Sequence, residues 1–251
     1  MGQLRLLICA IQFLTRLPTP ALRGFQPDMI SRSARYFPLV GALVGAICGL
    51  TLIGADRLWS GVLPALLAVA IGVLVTGAFH EDGLADACDG LGGGGDPARR
   101  LAIMKDSRIG TYGALGLGLT LALKVAGLSS LPAVPAALTL VAAHAGGRAA
   151  SVCAMRGLAY VGDLDLAKWK PAPVNLSAWE VAIALALGLA PLVLLPPVGA
   201  AWGLGLGAAL ALGLALTAKR LLGGYVGDVL GAVEQVFELG FVLGIAAWAR
   251  I

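Results

Sequence analysis

An all-α, polytopic membrane bundle is the fold predicted for this chain, on three observations. Of its 251 residues 59% are hydrophobic and only 13% charged, and the mean hydropathy is +0.89. The apolar residues fall in runs of about 20, which at roughly 1.5 Å per residue span a hydrocarbon core about 30 Å thick. The glycine and alanine in those runs suit packed spans and not a linker, so the chain reads as a single transmembrane domain, 1–251.

Taken in order, residues 1–18 place Arg5 ahead of an apolar run at 6–14, as a signal peptide would. Arg16, Arg23, Arg32 and Arg35 follow and no A-x-A-like site occurs, so an N-terminal interfacial helix is expected instead. Seven spans are expected at 36–55, 61–79, 110–130, 133–155, 178–195, 198–218 and 228–248. In the first, Gly41, Gly45 and Gly49 recur every fourth residue, a stripe that admits a neighbouring helix. A short surface helix is expected at 99–105, with Pro97 suited to its first turn. The polar loop 156–177 carries Asp163, Asp165, Lys168 and Lys170. Lys and Arg gather in the N-terminal segment, in loops 80–109 and 156–177 and at Lys219 and Arg220, whereas the turns 131–132 and 196–197 have none. The positive-inside rule then puts loop 80–109 on the cytoplasmic side and the C-terminus outside, with only Arg57 and Arg250 breaking the pattern. The net charge of +4 serves topology, and no basic and aromatic interleaving suggests nucleic acid. Cys9, Cys48, Cys88 and Cys153 form no C-x-x-C, which argues against a disulfide framework and a zinc site.

Six of the 14 acids and four of the 18 Lys and Arg lie in 79–112, FHEDGLADACDGLGGGGDPARRLAIMKDSRIGTY. If 80–89 is helical, Asp82, Asp86 and Asp89 at i, i+4 and i+7 share an arc of roughly 60°. Carboxylates so placed repel and raise one another's pKa unless a cation joins them. Oxygen-only ligands favour a hard divalent ion, Mg²⁺ or Mn²⁺ in its place. The plainer reading is a solvated acidic helix end, and the run Arg99, Arg100, Lys105 and Arg108 weighs against it: metal plus cationic side chains is what phosphoryl transfer requires. The run Gly92, Gly93, Gly94 and Gly95 reads as a hinge or as backbone N–H groups turned to a phosphate. Within the expected spans lie Lys124, His144, Arg148, Asp228, Glu234 and Glu238. Ionisable groups there are expensive, and the i, i+4 pairs His144 with Arg148 and Glu234 with Glu238 invite interhelical pairing. Arg148 could instead reach a phosphate, and Asp228 substrate or a second metal. His80 reads as a satisfied interfacial histidine before it reads as a ligand.

The stretches His80-Glu-Asp-Gly-Leu-Ala-Asp86, Asp89-Gly90 and Ile103-Met-Lys-Asp-Ser-Arg-Ile-Gly-Thr-Tyr-Gly113 resemble the signature of the cobalamin synthase, or adenosylcobinamide-GDP ribazoletransferase, family. Phe13-Leu-Thr-Arg-Leu-Pro18, Tyr36-Phe-Pro-Leu-Val-Gly41 and Gly223-Gly-Tyr-Val-Gly-Asp228 extend the resemblance over nearly the whole chain. Glu81 and the bare glycine run depart from the pattern without removing a carboxylate or arginine. The resemblance implies a transferase of the bacterial inner membrane, its site facing the cytoplasm. A ribose hydroxyl of α-ribazole or its 5′-phosphate would attack the cobinamide-bound phosphoryl of adenosylcobinamide-GDP and release GMP. On that reading Asp82, Asp86 and Asp89 hold Mg²⁺, and Arg99, Arg100, Lys105, Ser107, Arg108, Arg148 and Asp228 bind substrate or phosphate. Asp106 is the candidate base, although its cationic neighbours lower its pKa. Lipid bilayer and small-molecule substrates are the expected partners, and a homo-oligomer is compatible with the sequence. Two rivals remain. A CDP-alcohol phosphotransferase shares Asp86-Ala-Cys-Asp89-Gly90, but its Ala-Arg pair comes late here, at Ala98-Arg99. A secondary transporter would show an internal repeat and polar sites at mid-membrane, and no repeat is found.

Overall fold

A computed structural model describes residues 2–26, 28–162 and 176–251; Asp163, Asp165, Lys168 and Lys170 of the polar loop lie outside them. Among the described residues the chain is helical, with no strand and one isolated bridge, Tyr160 to Tyr225. Helix α1 (Gln3–Leu14) buries Leu6, Cys9, Ala10 and Leu14 and leaves its other side exposed, as the expected interfacial helix would. The short α2 (Met29–Ser33) and a 3₁₀ turn (Ala34–Tyr36) lead into α3 (Phe37–Asp56).

The expected stripe is used at the α3 interface with α8 (Ala133–Gly157). A Cβ on Gly41 would meet the His144 carbonyl oxygen at 2.3 Å, one on Gly45 the Leu140 carbonyl oxygen at 2.6 Å, and one on Gly49 Ala137 at 3.0 Å. As α3 advances, its partner on α8 recedes, so the two run antiparallel in backbone contact.

The span expected at 61–79 is not straight. Helix α4 (Leu63–Thr76) stops where Gly77 and Ala78 take positive φ, 68° and 60°, the left-handed conformation that ends helices. Helix α5 (Phe79–Gly93) then leaves at 92°, which keeps it from continuing the crossing. It runs over the N-terminal ends of α7 (Thr111–Ser129) and α11 (Gly227–Trp248): Gly83 faces the Asp228 backbone, and Gly110 and Gly113 face Asp89. We read α5 as lying at the end of the bundle, outside the spans.

The expected surface helix is α6 (Pro97–Met104), with Pro97 in its first turn and Asp96 as N-cap, accepting from Arg99 N at 2.9 Å. Helix α9 (Ala178–Leu189) opens with a capping box of Ser177 and Glu180, and Glu180 also pairs with the buried Arg35. Helices α10 (Pro197–Leu222) and α11 meet through a second glycine stripe. Cβ atoms on Gly203, Gly207, Gly240 and Gly244 would fall 2.5–3.1 Å from the facing helix.

Among the described residues four helices are long and apolar enough to cross a membrane: Met29–Asp56, which joins α2 and α3, and α7, α10 and α11. The bent α4 and α5 pair makes a fifth if taken as one span. The seven expected spans are therefore not reached on length and apolarity. Helix α8 is 25 residues long but carries His144 and Arg148, and α9 with its 3₁₀ extension Ala190–Leu194 is short.

Gly45→Ala should push α3 off α8 and destabilise by about 1–3 kcal/mol, the usual cost of overpacking. Gly54→Ala, with open space around it, should not. Thermal unfolding of both variants in one detergent checks this.

Candidate active site

Helix α5 is helical throughout, so Asp82, Asp86 and Asp89 do share a face, but their surroundings differ. Asp82 is exposed, Asp86 half-buried and Asp89 buried. Both oxygens of Asp89 are engaged: Oδ2 accepts from Gly110 N at 2.7 Å and Oδ1 from Gly113 N at 2.8 Å. It caps α7, satisfying N–H groups that a helix start leaves without partners. The glycines of Arg108-Ile-Gly110-Thr-Tyr-Gly113 follow from this, since a Cβ on Gly110 or Gly113 would lie 2.5 or 2.3 Å from that carboxylate. Asp228, in the first turn of α11, supplies a further acid. Burial, then the charges of Asp228, Asp82 and Asp89, push the Asp86 carboxyl up to about 7. These are hard oxygen donors whose mutual repulsion a divalent ion would relieve, although among the described residues their oxygens do not converge as a formed metal site.

The basic residues divide. Arg99 and Arg108 line an open surface cavity of about 200 Å³ together with Asp106 and Tyr112. Arg108 forks onto Asp106, Nε to Oδ1 at 3.0 Å and Nη2 to Oδ2 at 2.6 Å. That ion pair, with a backbone hydrogen bond from Arg108, holds the Asp106 carboxyl down at about 2. So weak a base suits the placing of Arg108 better than proton abstraction. Arg100 turns to the end of α5, where Nη1 donates to the Gly90 and Leu91 carbonyls. Lys105 and Ser107 are exposed beside the cavity. Gly92 and Gly94 are packing sites and not a bare hinge: a Cβ on Gly92 would strike the Tyr112 ring and one on Gly94 would strike Arg100.

Arg148 departs from the role expected of it. It is 1% exposed, too deep to meet a phosphate. Its Nη1 lies 2.8 Å from Glu234 Oε1, 3.1 Å from Glu238 Oε1 and 3.2 Å from His144 Nδ1. Among the described residues, His144, Glu234 and Glu238 are the set whose ligand atoms converge closely enough for a metal; the guanidinium already serves as the cation there. Around it His144 Nδ1 meets Glu238 at 2.6 Å, Lys124 Nζ meets Glu238 at 2.6 Å and Gln235 at 2.9 Å, and His80 Nε2 meets Glu234 at 2.7 Å. Gln235 in turn donates to Glu81 Oε1 at 3.1 Å. His80 is thus a buried residue paired through Nε2 with Glu234, and Glu234, Glu238 and Lys124 form interhelical pairs as expected of charges within spans.

Residues 6–246 match the family model described as Cobalamin-5-phosphate synthase. The chain belongs to that family. Its relatives include proteins named adenosylcobinamide-GDP ribazoletransferase from Leptothrix cholodnii (46% identical, covering 96% of this chain and 94% of the relative), Shewanella frigidimarina (40%, covering 98% and 95%) and Vibrio cholerae (38%, covering 99% and 95%). No solved structure matches the chain. For a cobalamin-5-phosphate synthase family member the unforeseen features are the cap role of Asp89, the place of Asp228 beside Asp82 and Asp86, and the α5 clamp through Glu81 and Gln235. The only sequence sign of that clamp was Glu81 standing where an apolar residue is as usual.

Glu238→Ala would leave Lys124, Arg148 and His144 facing one carboxylate fewer in a dry interior, and should cost about 3–5 kcal/mol. Lys124→Met should cost less, because Glu238 keeps Arg148 and His144. Unfolding of the two variants in detergent orders them.

Proposed function

We propose that this protein joins α-ribazole or its 5′-phosphate to adenosylcobinamide-GDP in the last assembly step of the cobalamin nucleotide loop, at the cytoplasmic face of the bacterial inner membrane. The observation that carries the reading is one helix, α5, that sets Asp82 and Asp86 near enough to Asp228 for their charges to raise the Asp86 carboxyl and one end of which, at Asp89, lines the cavity of Arg99 and Arg108; the names of the relatives supply the substrates. A ribose hydroxyl forms a new bond to the cobinamide-bound phosphorus. The bond from that phosphorus to the bridging oxygen breaks, and GMP leaves with the electron pair and takes up a proton. Asp82, Asp86 and Asp228 would hold Mg²⁺, which when bound neutralises pyrophosphate oxygens and stabilises the leaving group. Asp89 stays in its cap and keeps α5 against α7. Arg108, aimed by Asp106, and Arg99 pair with the phosphate of the departing nucleotide.

Membranes containing the protein, supplied with adenosylcobinamide-GDP, α-ribazole and Mg²⁺, should release GMP, and EDTA should stop it. Undiminished release in EDTA would count against the metal. Asp82→Asn and Asp86→Asn should abolish turnover in protein that still inserts and folds.

The raised Asp86 carboxyl gives a second readout. The folded chain holds that proton more tightly than the unfolded chain does, so between the ordinary carboxylate range and about pH 7 stability falls as pH rises. Without divalent ions Tm should drop between pH 5 and pH 8. Mg²⁺ should raise it more at pH 8, where the acids are charged, and Asp86→Asn should flatten both effects. A Mg²⁺ shift equal at both pH values would speak against this site.

Arg108→Ala should lower kcat/KM for adenosylcobinamide-GDP by about tenfold or more, the loss of one charge-assisted contact. Arg108→Lys should recover it only in part, since an ammonium cannot fork onto two oxygens. Arg23→Ala, at equal membrane abundance, is the control expected to change little.

A further inference from the structure

The cavity between α5, α6 and the start of α7 has two kinds of wall, and only one is used in the reaction described above. Arg99 and Arg108 form the charged wall. The other is apolar, made by Ala102, Ile103 and Tyr112. Tyr112 is 58% exposed, yet its ring is seated. A Cβ at Gly92 would fall 2.7–3.0 Å from three ring atoms, so the ring lies on bare α5 backbone and any side chain at 92 would displace it. Asp89 is engaged by the α7 backbone and Asp106 by Nε and Nη2 of Arg108, so an anion would meet Arg99 and the remaining Nη1 donors of Arg108.

A tyrosine at a membrane boundary anchors a helix by facing the headgroups; that role asks for no glycine seat on a neighbouring helix and no pair of guanidinium groups across a cavity. A flat π surface held rigid beside two arginines is the chemistry that takes a nucleotide, the base stacking and the phosphate pairing. Resting on the function proposed above, we propose that Tyr112 is the base-stacking residue for the nucleotide half of the substrate: a purine nucleoside monophosphate lies with its base on the Tyr112 ring and its phosphate at Arg99 and Arg108. Gly92 is the residue that positions the ring.

The test is equilibrium binding to the full-length protein in zwitterionic nanodiscs, with radiolabelled GMP displaced by unlabelled GMP, ribose 5-phosphate or inorganic phosphate. GMP should bind at least about tenfold more tightly than ribose 5-phosphate, the difference being the stacked base. Tyr112→Ala should bring GMP down to the level of ribose 5-phosphate and leave the latter unchanged, whereas Tyr112→Phe should keep the preference. Gly92→Val should behave like Tyr112→Ala, and Arg108→Ala should weaken both ligands together. Equal affinity for GMP and ribose 5-phosphate in the parent protein would overturn the proposal, as would equal losses for both ligands in Tyr112→Ala with an unchanged melting temperature. Loss of GMP binding when anionic lipid replaces zwitterionic lipid would assign the cavity to lipid headgroups and also overturn it. The reaction reading fails separately: a parent protein that binds GMP with this preference but releases none from adenosylcobinamide-GDP sinks that reading alone, and one that releases GMP while Tyr112→Ala keeps full GMP affinity sinks only the stacking.

Discussion

Everything at the active end of this protein hangs on one buried nitrogen. Arg148 Nη1 sits among Glu234, Glu238 and His144, and the pairs around it join α5, α7, α8 and α11. In an apolar bundle an ionisable group is tolerated only with a partner, so each of these helices has one rotation and one depth at which its charges are satisfied. Small-residue stripes let the helices approach; the charges decide the register in which they stop. Four buried atoms of this network, His80 Nδ1, Glu81 Oε2, Arg148 Nε and Glu234 Oε1, have no hydrogen-bond partner among the described residues, although the last lies 2.8 Å from Arg148 Nη1. His80, Glu81 and Arg148 border a small cavity along with Lys124, His144 and Gln235, with room for about one water, the usual way such groups are satisfied.

The chemistry is held one layer outward. His80 and Glu81 reach inward from α5 to α11, while Asp82 and Asp86, next on the same helix, belong to the acidic group with Asp228. One short helix thus joins a dry, charge-paired interior to a wet, charge-rich surface. Asp89 ties the far part of α5 to α7, so the acidic face is fixed at both ends. With the helix so held, carboxylate repulsion is not relieved by rotation. That is the condition under which the acids would bind the proposed cation in place of spreading apart.

Much of this was legible in the sequence. Membrane class and helical fold followed from hydropathy, a close helix contact along α3 from Gly41, Gly45 and Gly49, and the pairing of Glu234 and Glu238 from spacing and of Lys124 from the cost of charge in lipid. The same spacing at Gly199, Gly203 and Gly207 marks the α10 and α11 contact, which was not among the expectations. The span count was less accessible, because a break at Gly77 and Ala78 is a backbone event that a run of apolar residues conceals. Arg148 was misread because proximity to the end of a span in sequence does not measure depth. Asp89 differs from Asp82 and Asp86 through its neighbours at 110 and 113, some 20 residues on, and no local pattern on α5 announces them.

The bend between α4 and α5 makes spacing, and not composition, the sensitive property of this segment. Each residue of an α-helix advances the side chains by about 100°, so one residue added or lost between Ala78 and His80 would turn the acidic face of α5 away from Asp228 while His80 and Glu81 lost Glu234 and Gln235. The loop before α6 lacks that coupling: Gly95 borders open space, and extra residues there would lengthen a surface turn without rotating anything. Length variation among proteins of this kind should therefore collect after α5 and be absent before it.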